Sequence, residues 1–129
     1  MRLAIVGTRT FTNYDMLAKK VNSIREVLKK RGRDISIIVS GGRKNSKRHK
    51  CTGADLLAER YAKEHELTYL FFEPDWDKHS KAAGPIRNAK IVSHCDMLLA
   101  FWDGESTGTI DSVNKAKKDG KMTYIIRYK

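Results

Sequence analysis

The chain has 129 residues, 40% of them hydrophobic, with 26 Lys and Arg against 15 Asp and Glu, a formal net charge of +11. That length suits one domain that buries its own core without metal or disulfide staples, and no apolar run approaches the roughly 18–20 residues of a membrane helix. The charge favours an anionic partner, whether a nucleotide, a nucleic acid or an acidic protein.

The charge is clumped. Residues 43–50, R-K-N-S-K-R-H-K, hold five of the basic side chains and no acid, and the rest of the chain keeps an ordinary balance of 21 against 15. The N-terminal apolar run is too short for a signal peptide and turns polar at Thr8. Cys51 and Cys95 are 44 positions apart in unlike surroundings, so reduced thiols in a cytoplasmic protein are expected, with no membrane partner.

Residues 2–6, R-L-A-I-V, form a short apolar run ending at Gly7 and predict a buried first strand. After the polar loop 7–13, Tyr14, Leu17, Val21, Ile24 and Leu28 recur at alternating spacings of 3 and 4. That is one apolar helix face, with Asn13 or Thr12 as N-cap and Gly32 as stop. The β-branched run Ile35 to Val39 predicts a second strand, ending in S-G-G at 40–42. Beyond the basic octet, C-T-G-A-D leads into a helix with Leu57, Ala58, Tyr61, Ala62 and His65 on one face. Residues 67–72 predict a third strand and 73–83 a long loop. Gly84-Pro85 opens the next helix, with Ile86, Ala89 and Val92 as its apolar side. Residues 96–102 predict a fourth strand, Thr109 to Asp119 a helix stopped by Gly120, and Met122 to Tyr128 a fifth strand.

Strands and helices alternate throughout, without repeat, linker or low-complexity segment. Near-continuous apolar strands imply that both sheet faces are covered, so the expected fold is α/β, a doubly wound parallel five-stranded sheet with helices on both faces. Such sheets bind ligands beyond the carboxyl ends of their strands. Glycine-bearing polar loops follow the first, second and fourth strands, a Trp-bearing loop follows the third, and the opposite ends are plain. One rim is therefore expected to carry a site.

G-T-R-T-F at 7–11 lacks the G-x-G-x-x-G spacing of a dinucleotide fingerprint. Gly7 permits a tight turn, Thr8 offers a hydroxyl and an N–H, and Arg9 offers a phosphate fork, unless this is a plain turn with a surface arginine. Gly41, Gly42 and Gly53 can cradle a phosphate beside Asp55, which can equally cap the helix it opens. The octet between them is either a solvated loop or an arm for a polyanion. Asp75 and Asp77 flank Trp76, which suits ribose and base recognition or simply anchors a loop. Arg87 and Asn88 fall in the first turn of a helix, where the dipole favours anions, and Arg87 leads the phosphate-ligand candidates.

The stretch W-D-G-E-S-T-G-T at 102–109 delivers a loop onto a helix N-terminus, with backbone N–H groups exposed. Gly104 and Gly108 allow close approach, while Ser106, Thr107 and Thr109 supply hydroxyls. Asp103, Glu105 and Asp111 can do base chemistry or bind ribose, and Phe11, Trp76 and Trp102 are stacking candidates. His49, His65, His79 and His94 have no metal-like partner three or four residues away, so no metal or cofactor is expected. No Ser/His/Asp or Cys/His constellation is legible.

Taken in order, G-T-R-T-F, S-G-G…T-G-A-D-x-L-A-E-R-Y-A, F-x-P-D-W-D, K-A-A-G-P-I-R-N and F-W-D-G-x-S-x-G-T resemble the YspA-like branch of the SLOG superfamily over nearly the whole chain. That superfamily joins the DNA-processing DprA/Smf proteins with the LOG phosphoribohydrolases. The resemblance implies a Rossmann-like fold binding a nucleotide or nucleotide-derived ligand, with relatives linked to nucleotide-signal sensing in bacterial and phage conflict. It implies that Gly7, Thr8, Arg9, Gly41, Gly42, Gly53, Asp55, Arg87, Asn88, Gly104, Gly108 and Thr109 line the pocket.

This sequence differs from the pattern in two ways. The LOG motif P-G-G-x-G-T-x-x-E places a catalytic glutamate three residues after its threonine, whereas here that position is Ser112, with Asp111 one residue early. One residue turns a helical side chain by about 100°. Ten residues also separate Gly42 from Gly53 where the branch has a couple, so the octet resembles an insertion beside the pocket.

The leading expectation is a sensor or sequestering module for a nucleotide-like small molecule. The alternatives are a nucleoside-monophosphate phosphoribohydrolase using Arg87, Asp111, Asp103 or Glu105, and a single-strand nucleic-acid binder of DprA type using 43–50. Pairing of copies through helices stays open, with the Leu17 to Leu28 stripe read as core.

Overall fold

The computed structural model describes residues 1–41 and 53–128, the Trp76 side chain excepted. Five strands, β1 Arg2–Gly7, β2 Ile37–Ser40, β3 Thr68–Phe71, β4 Met97–Trp102 and β5 Met122–Arg127, pair in parallel in the order β3-β2-β1-β4-β5. The helices are α1 Tyr14–Lys29, α2 Gly53–Glu64, the single turn α3 Trp76–His79, α4 Ala83–Ser93 and α5 Thr107–Lys118. This is the doubly wound parallel sheet that the alternation predicts, with the Rossmann-like strand order that the resemblance implies.

The central strands are apolar at nearly every position because helices cover both faces. Leu3 and Ile5 of β1, with Leu99 and Phe101 of β4, pack against the buried faces of α1 and α2. Their alternating neighbours Ala4, Val6, Leu98 and Ala100 pack against α4 and α5. α1 buries Leu17, Val21, Ile24 and Leu28, and Asn13 caps it by accepting the Met16 N–H at 3.0 Å. None of the described helices is long and apolar enough to cross a membrane.

Four expectations are corrected. Ile35 is buried but precedes β2, its N–H held by the Asp34 carboxylate at 2.7 Å. Residues 73–83 are not a long loop. The Asp75 carboxylate accepts the Lys78 N–H at 3.1 Å and its carbonyl accepts the His79 N–H at 2.9 Å, which starts α3. A 3-10 turn over Ser80–Ala82 then runs straight into α4. Arg87 and Asn88 consequently lie in the second turn of α4 rather than its first. The buried face of α4 is Asn88, Ile91 and Val92, while Ala89 is exposed and Ile86 half-buried. A polar residue in an inward position hides this face from a search for apolar spacing.

The chain winds outward from β1 through β2 to β3, then crosses to β4 and winds the other way to β5. The carboxyl ends of β1 and β4 therefore flank the point where strand order reverses, the natural crevice of such a sheet.

Candidate functional site

A cleft of about 240 Å³ opens at that crevice. Val6 and Gly7 at the end of β1 and Gly41 after β2 form its base. Arg87, Asn88 and Ile91 of α4 form one wall; Ser106, Gly108, Thr109 and Ser112 at the start of α5 form another; Arg9 and Asp55 complete the lining.

Two glycines near the cleft, Gly7 and Gly53, are dictated by the protein's own packing. A Cβ on Gly7 would come within 2.7 Å of both Ala54 Cβ and the Phe101 carbonyl oxygen. Gly53, at φ +66°, starts α2 directly against the Thr8–Arg9 turn, with a Cβ only 2.5 Å from Thr8 O. A Cβ on Gly41 would meet the Arg87 guanidinium, the end of a flexible side chain that can move aside, so packing does not dictate glycine there. Gly108 is different. Its Cβ would meet nothing within 4 Å among the described residues, yet it lines the cleft.

The two walls are tied together. Arg87 Nε donates to Asn88 Oδ1 at 3.0 Å, and Asn88 Nδ2 donates to Gly108 O at 3.3 Å and to Asp111 Oδ2 at 3.1 Å. Lys115, one turn further along α5, pairs with Asp111 at 2.5 Å. Ser106 caps α5, its Oγ accepting the Thr109 N–H at 3.4 Å and the Thr109 hydroxyl at 3.1 Å. The N–H groups of Thr107 and Gly108 come first in the helix, have no acceptor within it, and stand at the positive end of its dipole.

On the opposite side, Ser40 Oγ lies 2.7 Å from Ile5 O and 2.8 Å from Asp55 Oδ1, sharing one proton between two acceptors. Asp55 is the carboxylate that lines the cleft among the described residues, facing the cations Arg9 and Arg87. The arrangement can hold an anion at the α4–α5 side and accept a hydrogen bond from a neutral donor at Asp55.

Other candidates from the sequence stand apart from this lining. Phe11 is a core side chain, its ring 4.5 Å from that of Phe101 and 4.8 Å from that of Tyr128. Thr8 lies in the turn after β1, its Oγ1 buried and without a hydrogen-bond partner among the described residues. Asp103 Oδ1 accepts the N–H groups of Glu105 and Ser106, each at 2.8 Å, and so shapes the loop before α5. Gly104, at φ +92°, lies beneath the Arg127 guanidinium. Trp102 donates its ring N–H to Ser106 O at 3.1 Å. Asp75 caps α3, and Asp111 sits behind the wall with Lys115. Gly42, the basic octet and the Trp76 ring lie outside the described residues.

Sequence reasoning did not place Val6, Ile91 or Ser112 in the lining. The helical spacing of Asn88, Ile91 and Val92, and of Thr109, Ser112, Val113 and Ala116, could have found the last two, since both sets face inward.

A family model described as the YspA, cpYpsA-related SLOG family matches residues 1–79. The chain belongs to that SLOG family. This SLOG chain is 30% identical over 129 residues to the gene 61 protein of Mycobacterium phage D29, a match covering 92% of the chain and 90% of the phage protein. DNA processing protein A (DprA) from Streptococcus pneumoniae shares the fold, with a TM-score of 0.68 over 99% of the chain at 18% identity. The SLOG chain spans half the length of that DprA chain, 50%. The α4–α5 wall, with Arg87 and Gly108, lies beyond the 79 residues that the family model matches.

Proposed function

We propose that this SLOG domain binds a nucleotide or nucleotide-derived ligand in the cleft, its phosphate between Arg87 and the N-terminus of α5, as a sensor or sequestering module. The observation that carries this reading is Gly108. It has a helical backbone with open space at its Cβ, so neither conformation nor packing calls for glycine there. A phosphate drawn close to the first N–H groups of α5 does call for it. Arg87, joined to Gly108 through Asn88, supplies the guanidinium fork that suits phosphate oxygens.

Binding without cleavage is supported by what the carboxylates do. Ser112 stands where the LOG enzymes have glutamate, and its hydroxyl donates to Gly108 O at 3.4 Å. Asp111 faces Asn88 and Lys115, and Asp103 is engaged by the loop it shapes.

Calorimetric titration across nucleoside mono-, di- and triphosphates, cyclic nucleotides and ADP-ribose tests the reading, with chromatography of the same mixtures for free base and ribose 5-phosphate. Heat from at least one ligand, lost in Arg87→Ala and unaccompanied by base release, is expected. No heat across the panel overturns binding at this site. Base release that disappears in Arg87→Ala overturns the sensor reading in favour of a hydrolase.

A further inference from the structure

We infer that Asp111 is a positioning residue: backed by Lys115, it sets the amide of Asn88 and through it the guanidinium of Arg87, an inference that rests on reading Arg87 as the phosphate ligand. A carboxamide presents an acceptor on one side and donors on the other, so its orientation is chosen by its neighbours. Asn88 is only 5% exposed, which leaves that choice to protein groups. On one side it meets Asp111 Oδ2 at 3.1 Å and Gly108 O at 3.3 Å. A backbone carbonyl and an ionised carboxylate both accept only, so both require Nδ2 on that side. Oδ1 is thereby turned to Arg87 Nε at 3.0 Å. The reversed amide would set its own donors against an N–H that cannot accept.

Lys115 donates to both oxygens of Asp111, which fixes the carboxylate in place as the acceptor that Asn88 meets. Because the Gly108 carbonyl engages the same amide, the guanidinium on α4 and the first turn of α5 are held in one mutual geometry. A ligand that uses both does not have to order them on arrival. An ordinary i,i+4 ion pair on a helix surface has no effect on binding at a distant cleft. The difference is measurable.

The test is a double-mutant comparison by calorimetry with AMP as probe. Asp111→Asn keeps the shape and removes the obligate acceptor, so AMP affinity is expected to fall about tenfold. Arg87→Lys keeps a cation and removes the Nε–H on which Asn88 acts. Adding Asp111→Asn to Arg87→Lys should then change affinity by less than about twofold. Equal losses in the two backgrounds overturn the inference, because Asp111 then acts through the fold at large.

A second readout needs no ligand. In proton–nitrogen correlation spectra the Arg87 Nε–Hε resonance is expected to shift, and to exchange faster with water, in Asp111→Asn. An unchanged resonance overturns the inference. If AMP and the rest of the panel give no heat with the unmodified protein, the phosphate reading fails, and this resonance alone decides the role of Asp111.

Discussion

The two rims of the sheet use their polar residues differently. At the amino ends of the strands, polar groups close on one another. The Arg2 N–H donates to Asp96 at 2.8 Å, and Asp34 receives Arg25 Nε at 2.9 Å and Nη2 at 3.1 Å. Tyr61 OH lies 3.3 Å from Arg25 Nη1 and donates to Asn22 at 2.6 Å, while Lys121 donates to the Val92 carbonyl. This rim is not the plain one its sequence suggests; it is charged and self-satisfied. At the carboxyl ends, Arg87, Asp55 and the start of α5 surround a cleft. Substitutions at the first rim should therefore read out in stability, and those at the second in binding.

Arg87→Ala should give the largest effect. Charge-assisted fork hydrogen bonds to phosphate contribute a few kcal/mol, so nucleotide affinity is expected to drop about a hundredfold or more. The thermal midpoint should move by no more than about 2 °C. A large fall in midpoint would show that Arg87 belongs to the fold, and the contrast between the rims would collapse.

Asp34 tests the other rim through pH. Hydrogen bonds from the Arg25 guanidinium hold its carboxyl down to about 2 in the folded protein, despite some desolvation and with help from the Ile35 N–H. A depressed folded value means the stabilisation is complete above the ordinary carboxylate value of about 3.9 and is lost as pH falls towards about 2. The Asp34 side chain is 38% exposed, so solvent screening reduces the contribution to about 1 kcal/mol. Asp34→Ala should lower the urea midpoint at neutral pH, flatten the acid limb of the stability curve, and leave nucleotide affinity unchanged. Lost affinity without lost stability would reverse the assignment of the rims.

Gly108→Ala separates stability from binding at one residue. The helical backbone accepts alanine and the new methyl meets no atom of the described residues, so stability should rise by about 0.5 kcal/mol. The same methyl intrudes where a phosphate would approach, so nucleotide affinity should fall. Unchanged affinity would place the ligand away from the start of α5.

What the sequence could disclose follows from where each cause resides. The strands and α1 are written in local runs, such as Ile37 to Val39 and the Leu17, Val21, Ile24 and Leu28 stripe, so alternation alone yields the sheet. α3 begins with a side-chain cap from Asp75 and has no apolar period to announce it. The loops of the carboxyl rim follow from topology, but the roles of their glycines do not. Gly7 is required by Ala54 and Phe101, and Gly53 by the Thr8–Arg9 turn, which are neighbours brought in from other elements. Asn88 meets Asp111 across 23 residues of chain, a pairing no local pattern contains. Phe11 lies in a loop that looks ligand-facing, and only its stacking on Phe101 shows it to be core.

Thr8→Val should have the smallest effect and bears on the boundary between the rim and the core beneath it. The Thr8 N–H donates to Phe101 O at 3.0 Å and its carbonyl accepts from Phe11 at 3.1 Å, so the backbone is fixed while Oγ1 is buried without a partner among the described residues. Valine replaces that hydroxyl with a methyl of nearly the same shape. Removing a buried unpaired hydroxyl should stabilise the fold by a few tenths of a kcal/mol, up to about 1. Because Thr8 lies outside the cleft lining, AMP affinity should stay within about twofold. A rise in thermal midpoint accompanied by about a tenfold loss of affinity would instead show a ligand completing the bond that the protein does not supply. The binding rim would then extend from Arg87 and α5 across the carboxyl end of β1 to the Thr8 turn.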